Sequence, residues 1–525
     1  MEDIIIRGGC VIDGTGSPGR RADVAVRDGI ITAVGDLSGR AAARVLDAGG
    51  LAVAPGFIDA HTHSDTFFLD DDSGASKLYQ GVTTEVSGNC GFSHFPALEE
   101  RVGEDPWSCV SYADFLRKYR DGGCQMALNQ AMLVGHGRLR EGVVGPDARP
   151  VTESELAHMK RLLRRDLEAG AWGLSLGLEY APGCFAGPEE LSALAGVVRA
   201  YGGIVTCHMR SEGLRIREAI GELAAIGRAS GAHVHVSHLK LDNVRVHGRA
   251  PEVWGLLEAA RAEGVRMTAD VYPYTASRTT LSIRCPRWSL DGGDEALLRF
   301  LRGPRRQEVI EGIRAHYDSA ERAETCVFSD DGGRWPGIVG KTLREVAEDM
   351  LGTTDYAAAA VEVLLRTDAQ ATCIFYVMSE QDMLYFLSRD VCVCSDSQAM
   401  SGDPARVRSR PHPRAYGATA EFFRLARERK LCSPEEAVRR VTGKTADCFG
   451  ITDRGYLRVG MAADITVFDP DRIAPRATYL EPVQLAVGVR HVIVNGAVAL
   501  KEGVQTDARS GRFLRKGQDP RAGNT

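Results

Sequence analysis

No basic surplus is present in this chain: Lys and Arg number 64 against 70 Asp and Glu, leaving a formal net charge of −6. That balance offers no electrostatic footprint for nucleic acid or for an anionic membrane, and neither is expected as a partner. The amino terminus, MEDIIIRGGCVIDG, lacks both a basic start and an apolar run long enough for export or for crossing a bilayer, so a cytoplasmic protein is expected. Paired cysteine spacing is also missing. The odd total of 13 reads as reduced thiols, mostly buried as small hydrophobes, and not as a disulfide framework. Internal repeats and low-complexity tracts are absent. Glycine alone is in excess, 58 of 525 residues or about 11% against a usual ~7%. Such an excess suits a fold with many tight turns and close backbone approaches.

Residues 3–54 read as short β segments separated by turns, and the same texture returns in 463–469 and 490–499. Two such blocks at opposite ends of one chain can pair into one composite β domain, a small β-sandwich of residues 1–54 plus 455–505. Between them, short apolar runs alternate with amphipathic helical stretches, the rhythm of βαβ units. Eight candidate strands (51–61, 81–87, 127–134, 172–178, 203–208, 233–238, 265–272, 391–395) predict a (β/α)8 TIM-like barrel over residues 55–454. Reactive groups then belong at the carboxyl ends of the strands. The interval between the seventh and eighth strands is too long for a loop, so residues 285–370 are expected to form an inserted lid. Residues 506–525, polar and rich in Gly and Arg, read as a frayed tail.

The chemistry-bearing residues fall at those predicted strand ends. His61 and His63 stand two apart in GFIDAHTHSD, a spacing that lets both imidazoles face one point in extended backbone. Cys90 follows in EVSGNCGFS, His208 in IVTCHMRSEG, His238 in VHVSHLKLD and Asp396 in VCVCSDS. Each alone has a plain structural reading: a buried thiol, a hydrogen-bonded core histidine, a helix N-cap. Metal-competent side chains at the ends of five different strands are hard to explain as core filling. A mixed set of thiolate, imidazole and carboxylate suits Zn²⁺. His233 and His235, on the strand that leads to His238, are read as core residues or as supports of the ligands.

These motifs carry a specific resemblance. GFIDAHTH after an N-terminal β block, with GYLRVGMAADITVFDP near the far end, is similar to the amidohydrolase superfamily. GVTTEVSGNCGFS, GLSLGLEYAPG, CHMRSEG, VSHLK, DVYPYTAS, SDS and HPRAYG resemble the N-acyl-D-amino-acid deacylase family, across roughly residues 3–500. The resemblance implies a tight zinc on Cys90, His208 and His238 and a weaker metal position near His61 and His63 that Cys90 bridges. It also implies Asp396 as general base. Many superfamily relatives bridge two metals with a lysine from the fourth strand. GLSLGLEY has none, and Cys90 is the substitute.

By the same resemblance, Lys240 and Arg414 bind the α-carboxylate of a small-molecule N-acyl amino acid, helped by Tyr272 or Tyr274 and by Ser277. Glu179 is read as a surface or supporting carboxylate. Arg278 and Arg284 lie where they could meet an acidic substrate side chain, or be surface residues. The implied activity is zinc-dependent hydrolysis of N-acyl-D-amino acids. The rivals are a cyclic-amide hydrolase of the dihydroorotase or hydantoinase kind and a non-catalytic scaffold relative. Oligomeric state is not legible.

Overall fold

The computed structural model describes residues 1–97 and 107–517. Strands β1 (Glu2–Val11), β2 (Arg20–Arg27), β3 (Ile30–Gly35), β4 (Ala42–Asp47) and β5 (Ala52–Pro55) open the chain. Alternation puts Ile4 and Ile6 of β1 into one apolar cluster and Ile5 into another on the opposite face. Gly8, at φ +76°, breaks the register between Ile6 and Gly9, and there β1 exchanges one parallel neighbour, β4, for another, β5. A Cβ on Gly9 would lie 2.4 Å from a Val53 methyl, so the close approach needs glycine.

The central strands are β6 (Phe57–Asp59), β7 (Val82–Ser87), β8 (Asn129–Met132), β9 (Val134–Gly135), β10 (Gly173–Gly177), β11 (Ile204–His208), β12 (His233–Val236) and β13 (Met267–Val271). β14 (Ser277–Thr280), β15 (Cys326–Asp330) and β16 (Thr372–Phe375) form a separate antiparallel sheet, and β17 (Cys392–Val393) returns to the centre. β18 (Ile465–Phe468), β19 (Val489–Val494), β20 (Ala497–Lys501), β21 (Val504–Gln505) and β22 (Phe513–Leu514) complete the chain.

The result is an α/β fold. Two parallel arcs, β22-β8-β7-β6 and β9-β10-β11-β12-β13-β17, carry the central strands in the order read from the sequence. β8 runs through Leu133 into β9 at one seam. At the other, Asp396 N–H donates to His61 O (2.9 Å) and Thr62 bridges Ser397. The ladder is therefore interrupted at two seams. Strands buried on both faces, such as VTTEVS and IVTCH, need cover from helices. Glu153–Glu168 is one, started by a capping box between Thr152 and Glu155 and burying Met159, Leu163 and Leu167 on one stripe.

Three boundaries differ from expectation. The run 51–61 is two strands: β5 joins the nine-stranded composite sheet with β18–β21, β6 joins the parallel arc, and the chain crosses at Gly56, where a Cβ would meet Thr83. The inserted unit is wider than 285–370, because β16 pairs with β14 as well as β15 and all three close on an apolar cluster from Leu281 to Phe375. The expected tail is not frayed through residue 517. β22 pairs in parallel with β8, and Trp172 Nε1 donates to Leu514 O (2.8 Å), because Phe513 and Leu514 give this polar stretch an apolar anchor. Residues 518–525 lie outside the described residues. All 13 cysteines are free thiols, most of them buried. Among the described residues no helix is long and apolar enough to cross a membrane.

Candidate active site

Three of the reactive side chains leave their strands through left-handed backbone: Cys90 at φ 55°, His238 at φ 36° and Asp396 at φ 49°. Non-glycine residues adopt this region at a cost of order 1–3 kcal/mol, so surrounding contacts must impose it. For Cys90 those contacts include Gly177, whose Cβ, if present, would lie 2.0 Å from Cys90 O. Asn89 anchors the same loop to Val86 O (2.9 Å) and Thr206 Oγ1 (3.2 Å). For His238, Asp270 Oδ1 accepts the backbone N–H at 2.6 Å.

The consequence is convergence. Cys90 Sγ lies 3.3 Å from both His61 Nε2 and His238 Nε2, and Asp396 Oδ1 lies 3.6 Å from His61 Nε2 and 3.2 Å from His63 Nε2. One ligand atom each from His61, Cys90, His238 and Asp396 falls within 4.8 Å of the others, and all four residues are buried. On the other side of His238 stands His208, its Nδ1 3.1 Å from His238 Nε2 and its Nε2 3.0 Å from Glu179. His208, Glu212 and His238 form a second group of metal-ligand geometry.

The electrostatics favour a cation. Burial, then Asp396, pushes the Cys90 thiol well up, so only a nearby positive charge would make it a thiolate here. Burial also works against the Asp396 carboxylate, but Arg414, then His238 and His63, outweigh it and hold Asp396 well below the usual range. Burial followed by Lys240 keeps His238 neutral, the form in which imidazole binds metal. The donor set fits Zn²⁺.

His63, Cys90, His208, His238 and Asp396 line a cavity of about 700 Å³, together with Lys240, Ser277, Arg278 and Arg414. Lys240 is not free: its Nζ lies 2.5 Å from Glu212 Oε2 and 2.9 Å from His238 Nδ1. Arg414 begins the helix Arg414–Glu428, pairs through Nη1 with Asp396 Oδ2 (2.9 Å) and lies over the Tyr272 ring (4.6 Å). Its buried Nε and the Ser277 Oγ have no hydrogen-bond partner among the described residues. Tyr272 itself donates to Met378 Sδ (3.4 Å). Glu179 is closer to the chemistry than its sequence position suggests.

Two residues escaped the sequence reading. Glu212 ties Lys240, His238 and His208 together, and Asp270 joins His235 Nε2 (2.7 Å) to the backbone of His238. Both sit inside motifs already noted, CHMRSEG and DVYPYTAS. The signal missed was a carboxylate in an otherwise buried stretch.

Imidazoles, a thiol and a carboxylate gathered beyond the ends of parallel strands, over one cavity, define a metal-dependent hydrolase. Residues 44–500 match the profile described as the amidohydrolase family, and the chain belongs to that family. It is 34% identical to an N-acyl-D-glutamate deacylase of Alcaligenes xylosoxydans xylosoxydans, over 98% of this chain and 96% of that protein. The same organism's D-aminoacylase is also 34% identical, over 98% and 97%. The crystal structure of N-acyl-D-glutamate deacylase from Bordetella bronchiseptica, complexed with zinc and a phosphonate mimic of the tetrahedral intermediate, superposes with a TM-score of 0.82 at 34% identity, over 98% of this chain and 99% of that one.

Proposed function

We propose that this protein hydrolyses the amide bond of N-acyl-D-amino acids to a carboxylate and a free D-amino acid, with zinc. The observation that carries the reading is the clustering of Cys90, His61, His63, His208, His238 and Asp396 beside two unpaired buried donors, Ser277 Oγ and Arg414 Nε. Cys90, His208 and His238 would hold the tight ion, and His61 and His63 with Cys90 would hold a weaker second one. Bound there, zinc supplies Lewis acidity toward the amide carbonyl and the attacking water. Asp396, kept ionised by Arg414, takes a proton from that water through Oδ1 and delivers it to the leaving amine.

An α-carboxylate completes the hydrogen bonding of Ser277 Oγ and Arg414 Nε, while Tyr272 lies between the Lys240 and Arg414 cations beside that seat. The parallel arcs act as one (β/α)8 barrel, residues 1–54 with 455–505 as its composite β domain, and the inserted unit as a lid. A cyclic-amide hydrolase would leave both unpaired donors unused, and GLSLGLEY offers no bridging lysine. A panel of N-acetyl-D- and N-acetyl-L-amino acids tests the reading. Release of free amine from the D series is expected, with the α-amide of a good substrate turned over roughly 10- to 150-fold less efficiently. Equal turnover of acid and α-amide removes the carboxylate seat.

A further inference from the structure

Four fixed cations line the cavity: Arg138, Lys240, Arg278 and Arg414. Three have carboxylates within ion-pair distance. Arg138 pairs with Glu141 (3.4 Å), Lys240 with Glu212 (2.5 Å) and Arg414 with Asp396 (2.9 Å). Arg278 has none among the described residues. It belongs to β14, at the root of the inserted unit, and its guanidinium is held by neutral oxygens: Nε donates to Ser329 Oγ (2.9 Å) and Nη2 to Thr372 Oγ1 (3.2 Å). Those bonds leave Nη1 over and orient the plane without neutralising it. Asp330 shares this wall of the cavity but lies beyond ion-pair reach, its Oδ1 accepting the Gly332 N–H at 2.9 Å.

The neighbouring arginine of the same segment behaves differently. Arg284 lies 4.3 Å over the Phe375 ring and 3.8 Å from Asp242, so its charge already faces a carboxylate of the fold. A half-buried guanidinium that faces a cavity without a counter-charge is unfavourable, and a second one nearby, Arg414, makes it more so. Such a group is retained where a ligand brings the missing anion. Since Arg414 and Ser277 already account for one carboxylate, the anion owed to Arg278 is another.

We propose that Arg278 seats a second carboxylate of the substrate, making this chain a reader of N-acyl-D-amino acids that carry two acidic groups. The inference rests on the proposed deacylase function. It also separates this chain from a general D-aminoacylase, a choice that two relatives of equal identity leave open. Two sources can supply the second carboxylate, an acidic amino-acid side chain or a dicarboxylic acyl group.

The experiment compares each acid with its isosteric neutral amide. N-acetyl-D-glutamate is set against N-acetyl-D-glutamine, N-acetyl-D-aspartate against N-acetyl-D-asparagine, and N-succinyl-D-alanine against its succinamoyl counterpart. In the unmodified enzyme at least one pair is expected to favour the acid by roughly 10- to 150-fold in kcat/KM, the range for a charge-assisted hydrogen bond. The favoured pair names the source. In Arg278→Gln that ratio should collapse toward one, and in Arg278→Lys, which keeps the charge but not the fork, it should fall between. Acid-to-amide ratios near or below one in the unmodified enzyme, with neutral N-acetyl-D-amino acids turned over well, overturn this inference and leave the deacylase intact. A ratio that survives Arg278→Gln also overturns it. Absence of turnover on every N-acyl-D-amino acid overturns the proposed function and the inference with it.

Discussion

At the base of β12, His233 and His235 lie within the parallel ladder and each meets Thr268 Oγ1, at 2.8 and 2.7 Å. At its mouth, His238 stands two residues past the strand, in left-handed backbone, with Cys90, His208, Glu212 and Lys240 around its ring. Residue type is the same at both ends and so is burial. What differs is the backbone: inside the ladder the histidines are aimed by strand alternation at Thr268, and His235 also at Asp270, whereas past the ladder Asp270 holds the backbone of His238 and the ring meets the cavity. Cys90 and Asp396 share that departure. Of the proposed ligands and base, these three sit where the chain leaves regular structure, while His208 closes β11.

The largest effect is expected from cutting a ligand at the mouth. Cys90→Ala should lose bound zinc and roughly 1000-fold or more in kcat/KM, the scale of several kcal/mol of charge stabilisation. Circular dichroism should show the fold retained, since apolar burial and not metal holds the strands together. The equivalent cut at the base, His233→Gln, should leave metal content unchanged. Equal zinc content in both variants would erase the distinction between the two ends.

Asp396 separates chemistry from binding at the mouth itself. Asp396→Asn keeps the shape but accepts no proton, so kcat should fall at least ~100-fold while most zinc remains. A near-normal kcat removes Asp396 from the proton path.

Asp270 joins the two ends, one oxygen on His235 and the other on the His238 N–H, and against burial His235, then His61, bring its carboxyl down to about 2. Asp270→Asn should weaken zinc by roughly 10- to 100-fold in chelator competition, as expected for a residue that orients a ligand without touching the metal. Unchanged zinc affinity would mean that the left-handed turn at His238 holds without it.

How far the sequence led follows the same division. Strand order was legible, and so was the gathering of His61, His63, Cys90, His208, His238 and Asp396 at the strand ends, because apolar period and strand-end position are local properties. Partnership was not. Lys240 reads as a free cation from its place after His238, yet Glu212 from the preceding βα unit occupies it. The split of 51–61 between two sheets depends on Thr83 crowding Gly56, and the anchoring of β22 depends on the exposed edge of β8. Neither neighbour is close in sequence. His238 is a related case: alternation puts it on the face opposite His233 and His235, and it reaches the cavity through left-handed backbone.

The smallest expected effect concerns the base of β12 and reads as stability, not activity. Burial, then Arg266, then His235 depress His233 to about 3, whereas a histidine in an unfolded chain titrates near ~6.5. Between those values the unfolded chain binds a proton that the folded one refuses, so stability is lost as pH falls below about 6.5 and the loss levels off near 3. At pH 5.5 the difference amounts to about 1.4 kcal/mol, one tenfold of excess protonation in the unfolded state. His233→Gln removes the titrating group and leaves a side chain that can still bond Thr268 Oγ1. Urea unfolding at pH 7.5 and 5.5 should therefore show the unmodified protein losing ~1.4 kcal/mol more than the variant over that interval. The mouth contributes its own pH dependence through metal binding, so the measurement is made on zinc-loaded protein of both kinds, where that contribution is common and cancels. Identical losses in the two proteins would mean that His233 takes up its proton within the fold, and that the base of the strand is less closed to charge than its packing implies.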